Sequence, residues 1–147
     1  MLAKTLTATA CLSATLTLAG CAIGPKETWT DLGPGAFATR RGMIACYVDA
    51  NFIDGERTQG VLCATPTSGF LEHGEPEVSA GVGYSPIIHI PFSSTLNGTE
   101  VPVDDKRGEL RCTAMKPTAD KATSQSFCTF TLNGQKLVSA KIFFSGM

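Results

Sequence analysis

The stretch CYVDANFIDGERTQGVLC, residues 46–63, decides how this chain is read. At its centre stands Asp54-Gly55, a two-residue hairpin signal. Both central positions of a type I′ turn need a positive φ, which glycine takes without steric cost and aspartate tolerates. A turn closed there pairs Ile53 with Glu56 and, seven rungs further out, Cys46 with Cys63. Pairs alternate outward between hydrogen-bonded and non-hydrogen-bonded, and 53:56 is of the first kind. The 46:63 pair therefore falls on a non-hydrogen-bonded site, where Cα atoms come closest and within disulfide reach. The same register gathers Ile44, Cys46, Val48, Ala50 and Phe52 with Val61 and Cys63 on one face, and puts Asp49, Asn51 and Thr58 on the other. Turn, register and alternation predict a hairpin with strands at about 42–50 and 58–64.

Upstream, residues 1–4 make a short positive start with Lys4, and residues 5–18 follow without a charge. That run has signal-peptide length and is too short for a comfortable bilayer crossing. Leu18-Ala19-Gly20-Cys21 then resembles the lipobox of bacterial lipoproteins. The resemblance covers residues 1–20 and Cys21 alone. It implies cleavage before Cys21, a diacylglyceryl group on its sulfur and usually a further acyl chain on the new N-terminus. At about 0.8 kcal/mol per buried CH₂, one chain holds a protein only marginally and two or three hold it stably. Position 22 is Ala rather than Asp, which resembles lipoproteins sorted to the outer membrane. The implied location is the bacterial envelope, anchored by lipid and facing the periplasm.

Of the six cysteines, Cys11 leaves with the leader and Cys21 takes lipid, so Cys46, Cys63, Cys112 and Cys128 remain in an oxidising compartment. Four cysteines allow three pairings. The hairpin register favours Cys46–Cys63, and residues 117–125 can turn between Cys112 and Cys128, so two local bridges are predicted, with long-range pairing as the competing arrangement. Each closes a loop worth about 3 kcal/mol in the chain-entropy model, large beside the roughly 5–15 kcal/mol of a domain. No Cys-x-x-Cys spacing occurs in the mature chain, so the cysteines read as staples rather than as a redox centre.

Residues 21–41 are rich in Gly, Pro and Thr without helical periodicity and read as the lipidated N-terminus and tether of one domain over 42–147, with Trp29 expected to dock on that domain. Residues 65–86 are interrupted by Gly and Pro and read as a long loop. Ile88, Ile90 and Phe92 alternate over 87–92, and Asn97-Gly98 predicts a second hairpin into 99–103 with Phe92 opposite Val103. Pro91 and Pro102 remove two ladder donors, so at least parts of those strands are expected at an edge or beside a bulge. Segments 108–115 and 126–132 form the arms around the second bridge, and Asn133-Gly134 turns into a last strand over 135–144 with Val138, Ala140, Ile142 and Phe144 on one face. A strict two-residue register there sets Phe130 against Leu137 and leaves apolar residues on both faces, so a bulge or a strand covered on both sides is expected. Thr-Leu-Asn-Gly recurs at 95–98 and 131–134, which makes an internal duplication conceivable. With no sustained helical period, the chain reads as all-β: a small, disulfide-stapled antiparallel sandwich or barrel-like sheet of about seven or eight short strands.

Hydrophobic residues make up 43% and charged residues 17%, the composition of a folded domain. Without Lys4 the chain keeps eleven basic and thirteen acidic residues and no basic stripe, which argues against a nucleic-acid partner. Metal chemistry has one candidate, Glu72-His73-Gly74-Glu75-Pro76-Glu77, with His89 on the outward face of its strand; a solvated acidic loop is the better account, so no metal and no cofactor is expected. No Gly-x-Ser-x-Gly elbow, free thiol beside a histidine or Ser-x-x-Lys is present in the mature chain, and Asp104-Asp105 beside Lys106-Arg107 reads as a solvated turn.

What remains is recognition. Phe70, Leu71, His73 and Tyr84 in the loop 65–86 are the candidate binding residues, and an exposed strand edge is the other route. The expected function is a non-enzymatic interaction protein, lipid-anchored at Cys21, that binds another envelope protein, possessing no catalytic residues. The alternative is a ligand-binding or hydrolase-inhibitor module using loop 65–86. That format is similar to the periplasmic lysozyme inhibitors, whose motifs the chain does not match. A metal-dependent activity centred on His73 is the third.

Overall fold

The computed structural model describes residues 35–147 apart from 70, 72 and 85–87. The leader, Cys21, Ala22, Trp29 and Phe70 lie outside the described residues. In chain order the described residues form β1 (Gly35–Thr39), β2 (Ala45–Ile53), β3 (Glu56–Thr65), β4 (Glu77–Val82) and β5 (Ile88–Pro91). A single helical turn, α1 (Phe92–Thr95), follows, and then β6 (Thr99–Val103), β7 (Lys106–Cys112), the two-residue β8 (Lys116–Pro117), β9 (Thr123–Leu132) and β10 (Gln135–Ser145). One sheet has the order β2-β3-β4-β5, the other β1-β10-β9-β7-β6 with β8 on β9. Pairing is antiparallel except where β1 runs parallel to β10. Between the sheets Ile53, Leu62, Val78 and Ile90 meet Val101, Leu110, Phe130, Val138, Ile142 and Phe144. This is an all-β, disulfide-stapled sandwich.

The first hairpin has the expected register. Asp54 and Gly55 take φ of 53° and 84°, Cys46 pairs with Cys63, and their Cα atoms are 4.0 Å apart in a disulfide. Its orientation is the unexpected part: the face carrying Cys46, Val48, Ala50 and Phe52 points away from the core, and Tyr47, Ile53, Leu62 and Ala64 pack inward. Gly60 explains the choice. A Cβ there would stand 2.6 Å from Leu137 Cγ, so this face comes up against β10 more closely than a side chain at position 60 permits. Asn51 beside it is polar, but its Nδ2 donates to the Leu137 carbonyl at 2.9 Å and is satisfied.

The second bridge, Cys112–Cys128, is also local, with Cα atoms 4.0 Å apart on directly paired positions of β7 and β9, and it lies inside the core. The expected bulge falls between Lys136 and Val138; it sets Val138 rather than Leu137 against Phe130, and Leu137 and Val138 are both fully buried. Val138, Ala140, Ile142 and Phe144 form the buried face of β10.

Three expectations are corrected. Residues 35–39, inside the stretch assigned to the tether, form β1 against β10. The presumed loop 65–86 contains β4, whose Ser79, Ala80 and Gly81 lack the branched side chains that mark strands but pair fully with β3. The second hairpin does not form: β5 pairs with β4, β6 pairs with β7, and the strands sit in different sheets. Phe92 packs edge-on against Phe144, with centroids 5.7 Å apart, instead of facing Val103. Burying that ring requires the chain to cross between sheets. Glu75 stabilises the crossing by accepting from the Ser93 amide and hydroxyl, both at 3.1 Å. Pro91 and Pro102 are on edge strands as expected, and the two Thr-Leu-Asn-Gly copies serve different roles, one following a helical turn and one closing the β9–β10 hairpin.

Candidate functional site

The two sheets present opposite chemistries to solvent. On the β1-β10-β9-β7-β6 sheet the outward face is polar around β6 and β7 and carries two ion pairs there. Arg107 meets Glu100 at 3.3 Å and Arg111 meets Glu109 at 2.8 Å, beside Thr129 and Thr131, around a shallow cleft of about 590 Å³.

The outward face of the other sheet is apolar where β2 and β3 meet. Cys46, Val48, Ala50 and Phe52 alternate along β2 opposite Cys63, Val61, Gln59 and Arg57 of β3, with Ser79 and Gly81 of β4 and His89 of β5 beyond them. Val61 and Cys63 are buried, whereas Val48 is 38% and Phe52 45% exposed. The strip is rigid because the Cys46–Cys63 bridge ties its two strands across the ladder. The inner face of β2 is fixed as well, since the Tyr47 ring stacks on Phe37 with centroids 6.5 Å apart. Desolvation pushes the Tyr47 hydroxyl above its ordinary range, the charge of Asp49 adds to this, and a hydrogen bond with the Gly35 backbone opposes it.

The candidate residues read from the sequence are not brought into one place. Leu71 is 68% and Tyr84 78% exposed, and His73 is exposed, but β4 separates them. Residues 71 and 73 lie before β4 and residue 84 after it, so the length of that strand, about 17 Å at ~3.3 Å per residue, stands between them. The part of the loop around residue 71 is held by local bonds: Thr65 Oγ1 donates to the Thr67 carbonyl at 3.0 Å, and the Gly74 amide to the Ser68 carbonyl at 2.8 Å.

Of the acidic residues near His73, Glu72 lies outside the described residues, Glu75 accepts from the Ser93 amide and hydroxyl, and Glu77 lies 3.4 Å from His89 Nδ1. Among the described residues no three His, Cys, Asp or Glu side chains converge on a point that could hold a metal ion. Asp104-Asp105 forms the tight β6–β7 turn, with Asp104 at φ 44°. At the β8–β9 turn, the Thr118 hydroxyl donates to Asp120 and holds that carboxyl below the usual carboxylate range, with the Ala122 amide assisting.

Alternation revealed the Val48–Phe52 strip as an apolar face; nothing in the alternation said that it would face outward. The signal was Gly60, where a Cβ would stand 2.6 Å from Leu137 Cγ of β10. Against known proteins, no family model, no curated protein and no solved structure matches the chain.

Proposed function

We propose that this chain is a lipid-anchored, non-enzymatic interaction protein of the bacterial envelope that docks another envelope protein on the outward face of the β2–β3 hairpin. The observation that carries this reading is the strip formed by Val48, Ala50, Phe52 and the Cys46–Cys63 bridge, apolar and partly exposed on the side away from the core. Clustered apolar surface of this kind favours burial by about 25 cal/mol per Å² covered. Because a disulfide fixes the strip before the partner arrives, association loses little conformational entropy there. The lipobox-like Leu18-Ala19-Gly20-Cys21 supports the envelope location, and the net charge of −1 supports a protein partner over nucleic acid.

The test is photocrosslinking in intact cells with a photoreactive residue placed in turn at positions 48, 52, 71 and 73, and with position 129 on the polar face as control. One discrete envelope protein captured at 48 and 52 but not at 129 is the expected result. Capture confined to positions 71 and 73 favours the ligand or hydrolase-inhibitor module and overturns the hairpin face.

A further inference from the structure

We propose that the Cys46–Cys63 bridge is a thiol–disulfide exchange site, opened by an external dithiol that attacks Cys46 while Ser79 and His89 deliver a proton to Cys63. This activity goes beyond docking and does not depend on what binds the strip.

A thiolate attacks a disulfide along the S–S axis, so the sulfur it strikes needs open space on the side away from its partner. Cys46 has that space. It is exposed, and β2 is the outermost strand of the β2-β3-β4-β5 sheet, so the line from Cys63 through Cys46 meets no further strand of that sheet. The Cys112–Cys128 bridge has neither feature. Both of its residues are buried, and β7 and β9 carry β6 and β10 on their outer sides.

Attack at Cys46 makes Cys63 the leaving group, and Cys63 is fully buried. A thiolate released there lacks the water that would stabilise its charge, which makes it a poor leaving group. Exchange therefore needs a proton for the departing sulfur.

The ladder puts donors in the same row. Cys63 pairs with Ser79 on β4, and Ser79 pairs with His89 on β5, so Cys46, Cys63, Ser79 and His89 stand side by side across four strands on the outward face. Neighbours in such a row have Cβ atoms about 4.5–5.5 Å apart, close enough for a thiol and a hydroxyl to meet by rotation about χ1. Ser79 is 2% exposed, and its hydroxyl has no hydrogen-bond partner among the described residues. His89 Nδ1 lies 3.4 Å from Oε2 of Glu77, which is on β4 two residues from Ser79, so the ring leans over β4. At the other bridge Ser126 Oγ comes within 3.9 Å of Cys128 Sγ, but the row continues into Ala140 and holds no imidazole.

The bonds balance as follows. The external thiolate bonds to Cys46 Sγ as the Cys46–Cys63 bond breaks, and the electron pair leaves on Cys63. Ser79 passes its proton to that sulfur and takes one from protonated His89, giving a Cys63 thiol and a neutral imidazole. The second thiolate of the dithiol then attacks its own first sulfur in the mixed disulfide and releases Cys46, which takes a proton from water. The dithiol ends as a disulfide and both cysteines are reduced. Opening leaves β2, an edge strand, tied to β3 by its hydrogen bonds without the covalent link.

The test treats the oxidised protein with dithiothreitol under native conditions, traps free thiols with iodoacetamide and maps them by peptide mass. Cys46 and Cys63 are expected to open together while Cys112–Cys128 stays closed. Ser79→Ala and His89→Ala are each expected to slow that opening on the order of tenfold, with the urea midpoint of the oxidised protein unchanged. Imidazole in solution is expected to restore the rate of His89→Ala and not that of Ser79→Ala, a difference that a merely structural role would not produce. Opening of Cys46–Cys63 only at the rate of global unfolding makes the bridge a staple and overturns the proposal. A wild-type opening rate in both variants overturns it as well.

Discussion

The side-chain amide of Asn133 donates to the Asp54 carboxylate at 2.8 Å, joining the turns of two hairpins that belong to different sheets. Gln135 adds a second bond to Asp54 at 2.7 Å and accepts its amide at 3.2 Å, while Asn133 Oδ1 accepts the Arg107 amide at 3.0 Å. Asp54 and Asn133 both take left-handed φ, 53° and 51°, which their short polar side chains tolerate better than most. The residues that make the turns thus also clasp the two sheets together at one end.

Replacing Asp54 separates the clasp from the turn. Asp54→Gly removes the exposed carboxylate bonds at about 0.5–1.5 kcal/mol each and keeps the left-handed turn. Asp54→Ala adds roughly 1–2 kcal/mol of backbone strain. Urea unfolding is expected to rank wild type above Gly above Ala. Equal stability of the Ala and wild-type proteins would show that the clasp contributes nothing.

Gly60→Ala tests a close approach between the sheets. The new methyl group stands 2.6 Å from Leu137 Cγ and 3.1 Å from Val138 Cγ1, both on fully buried side chains with no room to retreat. Overpacking of this kind costs about 1–3 kcal/mol, measurable as a lowered thermal midpoint with the denaturant slope unchanged. Leu137→Ala in the same background is expected to recover part of the loss.

The two bridges differ in access. Cys46 is on the surface, whereas Cys112 and Cys128 are both buried in the core. Under a mild reductant, alkylation and peptide mapping are expected to find Cys46 and Cys63 modified first, with Cys112–Cys128 opening only as the domain unfolds. Simultaneous labelling of all four cysteines would contradict this order.

Tyr47 predicts a loss of stability on the alkaline side. Its folded-state pKa lies above the ordinary value of 10.0, because partial burial disfavours the phenolate and Asp49 repels it. The folded state holds the proton more tightly, so the contribution is complete below pH 10 and is lost as pH rises through the folded value. Tyr47→Phe is expected to flatten the stability curve above pH 10 in denaturant titrations; an unchanged alkaline limb would refute the assignment.

Local chemistry was legible in the linear chain wherever one turn determined its own neighbourhood. Asp54-Gly55 specified the register, the register specified the Cys46–Cys63 bridge, and the surplus of apolar residues around Leu137 announced the bulge. These features depend on pleat and turn geometry within a few residues, which composition and spacing carry. Which face of the first hairpin turned inward depended on Gly60 meeting Leu137 across the sandwich, 77 positions away, and the fate of Asn97-Gly98 depended on Phe92 finding Phe144. β4 was invisible because small residues pair well only when a neighbouring strand is already in place. The candidate loop divided for the same reason: once β4 paired, Leu71 and Tyr84 were carried to opposite ends of that strand. Sequence alone determined the Asp54-Gly55 and Asn133-Gly134 turns, the register that brings Cys46 to Cys63 and the all-β class; burial against distant strands, where one face must exclude water and the other need not, decided what the protein shows to its surroundings.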